Sequence, residues 1–342
     1  LLQVIAENAQ ALEDRAPWKP RYRKTWDRAP VAAAVNVLVA VGHAGPGVPL
    51  GINLPNSQAI RQEHGSKSVL LANVMAGIRA ALSDRALEEF VPPEERDLER
   101  RYRRVAGDAM VALHEIVGHG SGRVAEGLKG DPATYLLETY STLEETRAEL
   151  VALHHIFDPV LVEQGVLPHP RAAEAALRGY LRQDLLQLRR VEAGDRFTDD
   201  HMRATHLIAQ YLARECGCVE LRLVGGEHFP IITDLGKARA AVAALLAEVM
   251  RIKAEGDVAA ARALVDGYGT RFDPALRDEV VRRAREAGIP RYFAFHMPTL
   301  VAIRDEEGDI VDVLLDEVED FDSMMLRWDL EGLALRRGSA AP

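Results

Sequence analysis

The chain has 342 residues, of which 48% are apolar and 27% charged, a balance typical of a globular protein with room for two domains. Its net charge of −10 and pI near 5.6 argue against nucleic acid as a partner, because phosphate binding needs a basic face. The longest apolar run, 30–41, is too short to span a membrane, so we expect no membrane partner either.

The cysteines suggest a cellular compartment, and the first residues suggest where the natural sequence starts. Cys216 and Cys218 are separated by one residue, so a bridge between them would be strained and would close almost no loop. We therefore predict free thiols, which suit a reducing compartment, and we expect a cytoplasmic protein. The sequence opens with Leu1 and Leu2, without Met, inside a predicted helix, and we expect its natural start to be missing.

The pattern along the chain predicts an α+β fold that is mainly α, with small β pieces. A helix over 1–14 breaks at 16–18, and a β-branched run over 35–41 precedes a loop rich in Gly and Pro. The stretch 68–74 fits a strand or the start of a helix. A long helix opens at Pro92-Pro93 and ends near Gly120.

The second part of the chain combines further helices with two hairpins. A helix over 142–157 stops at Asp158-Pro159, where proline disfavours continuation. Turn residues predict hairpins that pair 219–224 with 228–233 and 300–304 with 310–315. Apolar periodicity predicts the remaining helices, over 171–193, 198–215, 235–254, 257–266 and 274–287.

The most specific motif is a His-Glu-x-x-x-His stretch near the end of the long helix. His114 and His119 are five positions apart, whereas the common zinc-protease motif uses four and so puts both imidazoles on one face. At about 100° per residue, the longer spacing turns the side chains roughly 140° apart. A one-residue π-bulge restores the shared face, and Gly118 lies where a distorted backbone is easiest. We therefore predict a bulge between Glu115 and His119.

A carboxylate-rich helix downstream offers the third ligand that two histidines lack. It carries Glu144, Glu145 and Glu149, of which one can bind zinc while others accept the second N–H of a ligand histidine. Ordinary alternatives exist for the same residues. Glu144 can complete a capping box with Ser141, the other two can be exposed acids paired with Arg147, and the two histidines can be core residues.

The chemistry of this residue set is metal-assisted amide hydrolysis. Zinc held by two His and one Glu keeps an open position for water and lowers the pKa of that water. Glu115, next to a ligand histidine, is placed to take the proton and later to return it to the leaving amine. A purely structural site has no need of a base, so Glu115 favours an enzyme over a non-catalytic zinc- or peptide-binding protein. A zinc oligopeptidase of different cleavage specificity stays open.

These motifs resemble the dipeptidyl peptidase III family of zinc metallopeptidases. The resemblance rests on the His-Glu-x-x-x-His motif with Gly-His-Gly-Ser-Gly over 118–122, and on Glu-Glu-x-Arg-Ala-Glu over 144–149. It extends to 51–56, 65–69 and 201–203, and to the C-terminal stretch. The chain is most similar to the bacterial branch that is related to plant proteins with an added Nudix domain.

The resemblance implies a role for each matching residue. The implied zinc ligands are His114, His119 and Glu145, and the implied catalytic base is Glu115. Carboxylates that orient the ligand histidines are Glu144 and Glu149. The implied cleft residues are the substrate-binding Asn53 and Asn56, and His201, a catalytic residue near the scissile bond. Without the family, the two asparagines read as turn residues beside Pro55, and His201 as an exposed residue near a helix start.

The resemblance also implies a two-lobed architecture around a wide cleft. By this analogy, 1–34 and 82–289 form the helical zinc lobe, and 35–81 with 290–342 form the remaining part of a β-containing lobe. Family members are much longer, and their additional N-terminal part supplies an acidic residue for the substrate amine and a tyrosine near the carbonyl. We expect an N-terminally shortened zinc exopeptidase that releases dipeptides from the N-terminus of short peptides.

Overall fold

A computed structural model of the protein describes residues 1–40, 48–55, 57, 60–61, 64–128, 130–316 and 320–338. Helices dominate and the sheets are small, which confirms the α+β, mainly α prediction. The chain divides into two compact units. The larger contains Leu1–Ala34, Gly51–Leu70 and Ala81–Arg291, and the smaller contains Val35–Leu50, Leu71–Ala80 and Tyr292–Pro342. The predicted lobe boundaries stay a prediction; here Gly51–Leu70 belongs with the helical unit.

The regular elements are numbered here in chain order. The α-helices are α1 Leu2–Glu7, α2 Ala9–Asp14, α3 Ala72–Phe90, α4 Arg96–Leu113, α5 Ala133–Leu136, α6 Tyr140–His155, α7 Pro159–Glu163, α8 Arg171–Gln187, α9 Asp200–Tyr211, α10 Leu235–Glu255, α11 Val258–Leu264, α12 Pro274–Glu286 and α13 Phe321–Gly338. The strands are β1 Val31–Val35, β2 Gly51–Leu54, β3 Lys67–Leu71, β4 Val219–Val224, β5 Glu227–Ile232, β6 Thr299–Arg304 and β7 Ile310–Asp316. π-helical turns occur at His114–Gly118, Leu212–Cys216 and Val265–Gly269.

Helix α6 lies at the centre of the larger unit. It packs against the π-helical turn that follows α4 and against α9 and α10. Its apolar side chains are buried, among them Leu143, Leu150 and Val151. A helix enclosed in this way cannot turn a polar face to water, so the charged groups that it carries need partners inside the protein.

A short antiparallel pair of strands lies beside the π-helical turn. Strands β2 and β3 pair so that Asn53 is opposite Ser68, in a sheet with the order β1-β3-β2. Strand β2 contacts the turn directly. The pairing therefore places two polar side chains next to each other at the turn.

The smaller unit contains the β6–β7 hairpin and α13. The side chains of both strands are exposed almost throughout. Near the start of α3, the Asn73 side chain bonds both the N–H and the carbonyl of Val37. Across the described ranges, no helix is both long enough and apolar enough to cross a bilayer.

Several predicted elements differ from the structure. The β-branched run over 35–41, a pattern that favours a strand, is not a strand over 36–40, and residue 41 lies outside the described residues. Strand β1 instead covers Val31–Val35 and pairs with β3 despite three alanines. Neighbouring strands outweigh local β-propensity here. The stretch 68–74 contains both alternatives, since β3 ends at Leu71 and α3 starts at Ala72. Helix α13 and the long course of α3 were not predicted.

The prediction of free thiols is also wrong, because Cys216 and Cys218 form a disulfide. Gly217 between them has a φ of 61°, in the left-handed region that glycine favours. This turn brings the two Cα atoms to 5.1 Å, within the usual range for a disulfide. The cysteines therefore no longer support the inference of a reducing compartment.

Candidate metal centre

The turn after α4 has the predicted π-helical geometry. The His119 N–H donates to the His114 carbonyl at 3.0 Å, a hydrogen bond from residue i+5 to residue i. The extra residue brings both imidazoles to one face, with their Nε2 atoms 3.1 Å apart. The predicted bulge is confirmed, and the two nitrogens converge rather than point apart.

Gly118 has a different part in this turn from the one predicted. Its φ is not positive, so the turn does not depend on a left-handed backbone at this position. A Cβ added at Gly118 would lie 2.9 Å from the Ala148 carbonyl oxygen on α6. The glycine therefore allows the histidine-bearing turn to approach α6 closely.

Glu145 on α6 supplies a third donor atom to the same point. Its Oε2 lies 3.4 Å from His114 Nε2 and 3.8 Å from His119 Nε2. This oxygen is buried and receives no well-aligned hydrogen bond from the part of the chain that the structure describes. Donors about 2.0–2.1 Å from one tetrahedral zinc are roughly 3.3 Å apart. The three donor atoms therefore fit a single metal ion, and an exposed acid or ordinary core histidines do not account for the unpartnered oxygen.

Glu144 is enclosed by cationic and imidazole groups. Arg147 donates to both of its oxygens, at 2.7 and 3.0 Å, and Lys253 donates to Oε2 at 2.7 Å. Oε1 also lies 3.3 Å from His119 Nδ1. Burial opposes ionisation, but Arg147 and Lys253 hold the pKa of Glu144 well below its usual range. The capping-box alternative is wrong, because Ser141 lies inside α6, which begins at Tyr140.

Glu149 faces other partners. The Tyr180 hydroxyl donates to its Oε2, and the Thr205 hydroxyl donates to its Oε1 at 3.2 Å. Burial raises the pKa of Glu149 to about 7. Within the described ranges, no hydrogen bond joins Glu149 to His114. The prediction that Glu149 orients a ligand histidine stays a prediction.

His201 stands at the start of α9 beside the third donor. Its Nδ1 is 3.3 Å from Glu145 Oε2, while 67% of its side chain is exposed. The neighbouring Glu145 carboxylate raises the pKa of His201 to about 9. The structure thus places this histidine at the solvent side of the converging donors.

Hydrogen bonds to its main chain hold the predicted base, Glu115, in place. Asn53 Nδ2 and Ser68 Oγ each donate to the Glu115 carbonyl oxygen at 3.0 Å. Asn53 Oδ1 is buried and has no hydrogen-bond partner among the described residues. The Glu115 side chain lies against Gly51, where an added Cβ would be 2.7 Å from Glu115 Cγ. Asn56, the other predicted substrate-binding asparagine, lies outside the described residues.

Sequence reasoning missed Lys253 and Ser68. Lys253 follows Leu246, Val249 and Met250 at helical spacing, so it lies on a buried apolar stripe where a lysine is unusual. That signal was present in the sequence. Ser68 had no comparable signal, because its partnership with Asn53 depends on the register of β2 and β3.

Two imidazoles and a carboxylate around one point, with a glutamate next to the first histidine, are the arrangement typical of metal-dependent hydrolases. Comparisons with known proteins agree. The model of peptidase family M49 matches residues 1–135. Mouse dipeptidyl peptidase 3 is 30% identical over 82% of this chain and 43% of its own length.

Solved structures give the same relationship at the level of fold. Dipeptidyl peptidase III from Caldithrix abyssi aligns over 85% of this chain and 53% of its own, with a TM-score of 0.68 and 22% identity. The enzyme from Corallococcus sp. strain EGB aligns over 85% and 52%, with a TM-score of 0.69 and 22% identity. The chain is thus similar to peptidase family M49, the dipeptidyl peptidase III family, over the spans that these comparisons match. It spans less than half the length of the curated mammalian relatives.

Proposed function

We propose that this chain provides the zinc-binding catalytic part of a dipeptidyl peptidase, which releases dipeptides from the N-terminus of short peptides. The observation that carries the proposal is the convergence of three donor atoms, His114 Nε2, His119 Nε2 and Glu145 Oε2. The last is buried and receives no aligned hydrogen bond from any described residue. Similarity to peptidase family M49 supports peptides as the substrate class.

The proposed reaction is hydrolysis without a covalent intermediate. When bound, zinc supplies Lewis acidity and makes water easier to deprotonate. Glu115 takes a proton from the attacking water on its carboxylate and transfers it to the leaving amine nitrogen. Asn53 and Ser68 hold its main-chain carbonyl, which fixes the backbone from which the base extends.

The remaining residues are proposed to handle the substrate. His201 is largely exposed beside Glu145, which suits contact with the peptide near the scissile bond. Asn53 Oδ1, which none of the described residues bonds, is an acceptor suited to the charged N-terminal amine of a peptide. Asn56 is assigned to the same end by resemblance alone.

A second candidate is a zinc-dependent peptide-binding protein without hydrolysis. Such a protein would use the same metal ligands but would have no need of Glu115 as a base. A zinc oligopeptidase with a different cleavage position is the third candidate. All three require the same metal ligands, so zinc analysis alone does not separate them.

The test compares the zinc-loaded protein with its Glu115→Gln variant on peptides with free and with acetylated N-termini. Dipeptide release from free peptides only, with a loss of at least about 10²-fold in the variant at unchanged zinc content, is the expected result. Internal cleavage of acetylated peptides would favour the oligopeptidase. Peptide binding without any hydrolysis would favour the binding protein, and full activity of the variant would overturn the mechanism.

A further inference from the structure

We propose that Lys253 is a positioning residue of the metal centre, which acts through Glu144 to orient His119. This inference rests on the proposed zinc site. Lys253 lies in the last turn of α10, and 3% of its surface is exposed. Its Nζ is 2.7 Å from Glu144 Oε2, so it reaches the carboxylate from the side of α10, whereas Arg147 reaches it from within α6.

The contacts hold the Glu144 carboxylate in one orientation. Oε2 accepts from Lys253 Nζ and from Arg147 Nε, and Oε1 accepts from Arg147 Nη2. Arg61 Nη1 adds a third positive charge at 3.9 Å from Oε1. Oε1, which also accepts from Arg147, faces His119 Nδ1 at a distance of 3.3 Å.

The orientation of Glu144 determines which nitrogen of His119 carries the proton. An ionised carboxylate only accepts hydrogen bonds, so it favours the tautomer with hydrogen on Nδ1. The lone pair of Nε2 then faces His114 Nε2 and Glu145 Oε2, where a metal ligand needs it. Lys253 itself donates N–H as an ammonium or as a neutral amine, so the contact does not depend on its protonation.

A structural role alone would not require a lysine at this position. The neighbouring positions on the stripe, Leu246, Val249 and Met250, are apolar and buried, and a methionine of similar length would fill the same space. Burying an amine among them is costly unless a partner compensates. Glu144 is that partner, and Glu144 in turn contacts the His119 ring.

The test uses Lys253→Met, Lys253→Arg and, as a matched control, Lys237→Met on the same helix. Lys237 is 71% exposed and pairs only with Asp234 among the described ion pairs. Zinc affinity is measured by competition with a chelator, and the His119 tautomer by ¹⁵N NMR of the metal-free protein. Thermal unfolding confirms that each variant is folded.

We expect Lys253→Met to weaken zinc binding by up to about 10-fold and to reduce the Nδ1–H tautomer of His119. The loss is smaller than the roughly 10- to 100-fold typical when a direct outer partner of a ligand is removed, because Arg147 still holds Glu144. Lys253→Arg should recover part of the affinity, and Lys237→Met should match the parent. If Lys253→Met does not fold, Lys253→Gln, which keeps an N–H donor, gives an intermediate effect. A folded Lys253→Met variant with parental zinc affinity and an unchanged tautomer would overturn the proposal.

These readouts are independent of peptide hydrolysis. A protein that binds zinc and responds to Lys253→Met, yet releases no dipeptide, would contradict the proposed function and leave the role of Lys253 standing. Dipeptide release by the parent, with zinc affinity and the His119 tautomer unaffected in Lys253→Met, would support the proposed function and contradict the role of Lys253. If the parent binds no zinc, the tautomer measurement still tests the link from Lys253 to His119.

Discussion

At the scale of single residues, the geometry around Glu115 depends on a strand that lies far away in the sequence. Gly51 opens β2 and lies against the Glu115 side chain, while Asn53 on the same strand bonds the Glu115 carbonyl. The side chain and the main chain of the proposed base are therefore positioned by one short segment. A glycine at the first position leaves room for the carboxylate.

The Gly51→Ala variant tests this arrangement. The new Cβ would meet Glu115 Cγ at 2.7 Å and Oε1 at 2.8 Å, and the flexible carboxylate is the group that moves. We expect dipeptide release to fall by about 10- to 100-fold, since a displacement of about 1 Å costs on that order, with zinc affinity unchanged. Gly107→Ala on α4 is the control, because an added Cβ there meets nothing within 4 Å. Equal activities in the two variants would refute a positioning role for Gly51.

At the scale of elements, the site consists of a π-helical turn packed on a helix. His114 and His119 come from the turn and Glu145 comes from α6, so the distance between the two elements sets the ligand geometry. Spacing alone was sufficient to predict the bulge, because a regular helix cannot bring those histidines together. It did not reveal that Gly118 serves the approach to α6, since that contact involves Ala148, thirty positions away.

A Gly118→Ala variant should push the turn away from α6. The added Cβ would lie 2.9 Å from the Ala148 carbonyl and 3.0 Å from its Cα, and main-chain atoms cannot move aside cheaply. We expect a loss of about 1–3 kcal/mol in the free energy of unfolding, typical of overpacking, together with weaker zinc binding. Denaturant unfolding and chelator competition measure the two effects. Gly107→Ala should instead stabilise by about 0.5–1 kcal/mol, since alanine favours helix interiors. A Gly118→Ala protein as stable as its parent would mean that the turn and α6 are not tightly packed.

At the scale of the whole molecule, local patterns predicted helices and hairpins well and long-range partners poorly. The hairpin around Gly225-Gly226 follows from turn chemistry, and the pairing of Val219–Val224 with Glu227–Ile232 confirms it. Strand β1 covers Val31–Val35 rather than the β-branched run over 35–41, because its pairing with β3, and not its composition, decides where it lies. The ligand types were evident from the motifs. The hydrogen bond from Lys253 to Glu144 was not evident, because Lys253 is 109 positions away in the sequence and lies on another helix.

Metal binding should stabilise the fold as a whole, because the three donor atoms come together only when the turn and α6 are packed. A ligand that binds only the folded state adds about 4 kcal/mol of stability at a free concentration of 1,000 times its Kd. We therefore expect zinc to raise the melting temperature of the protein, and EDTA to reverse the rise. His119→Ala should lose the zinc-dependent shift, because it removes one of the donors. His154→Ala is the matched control, since His154 lies on α6 but contacts the Arg15 carbonyl rather than the donor cluster. A zinc-dependent shift of equal size in both variants would show that zinc binds elsewhere and would remove the basis for the proposed metal centre.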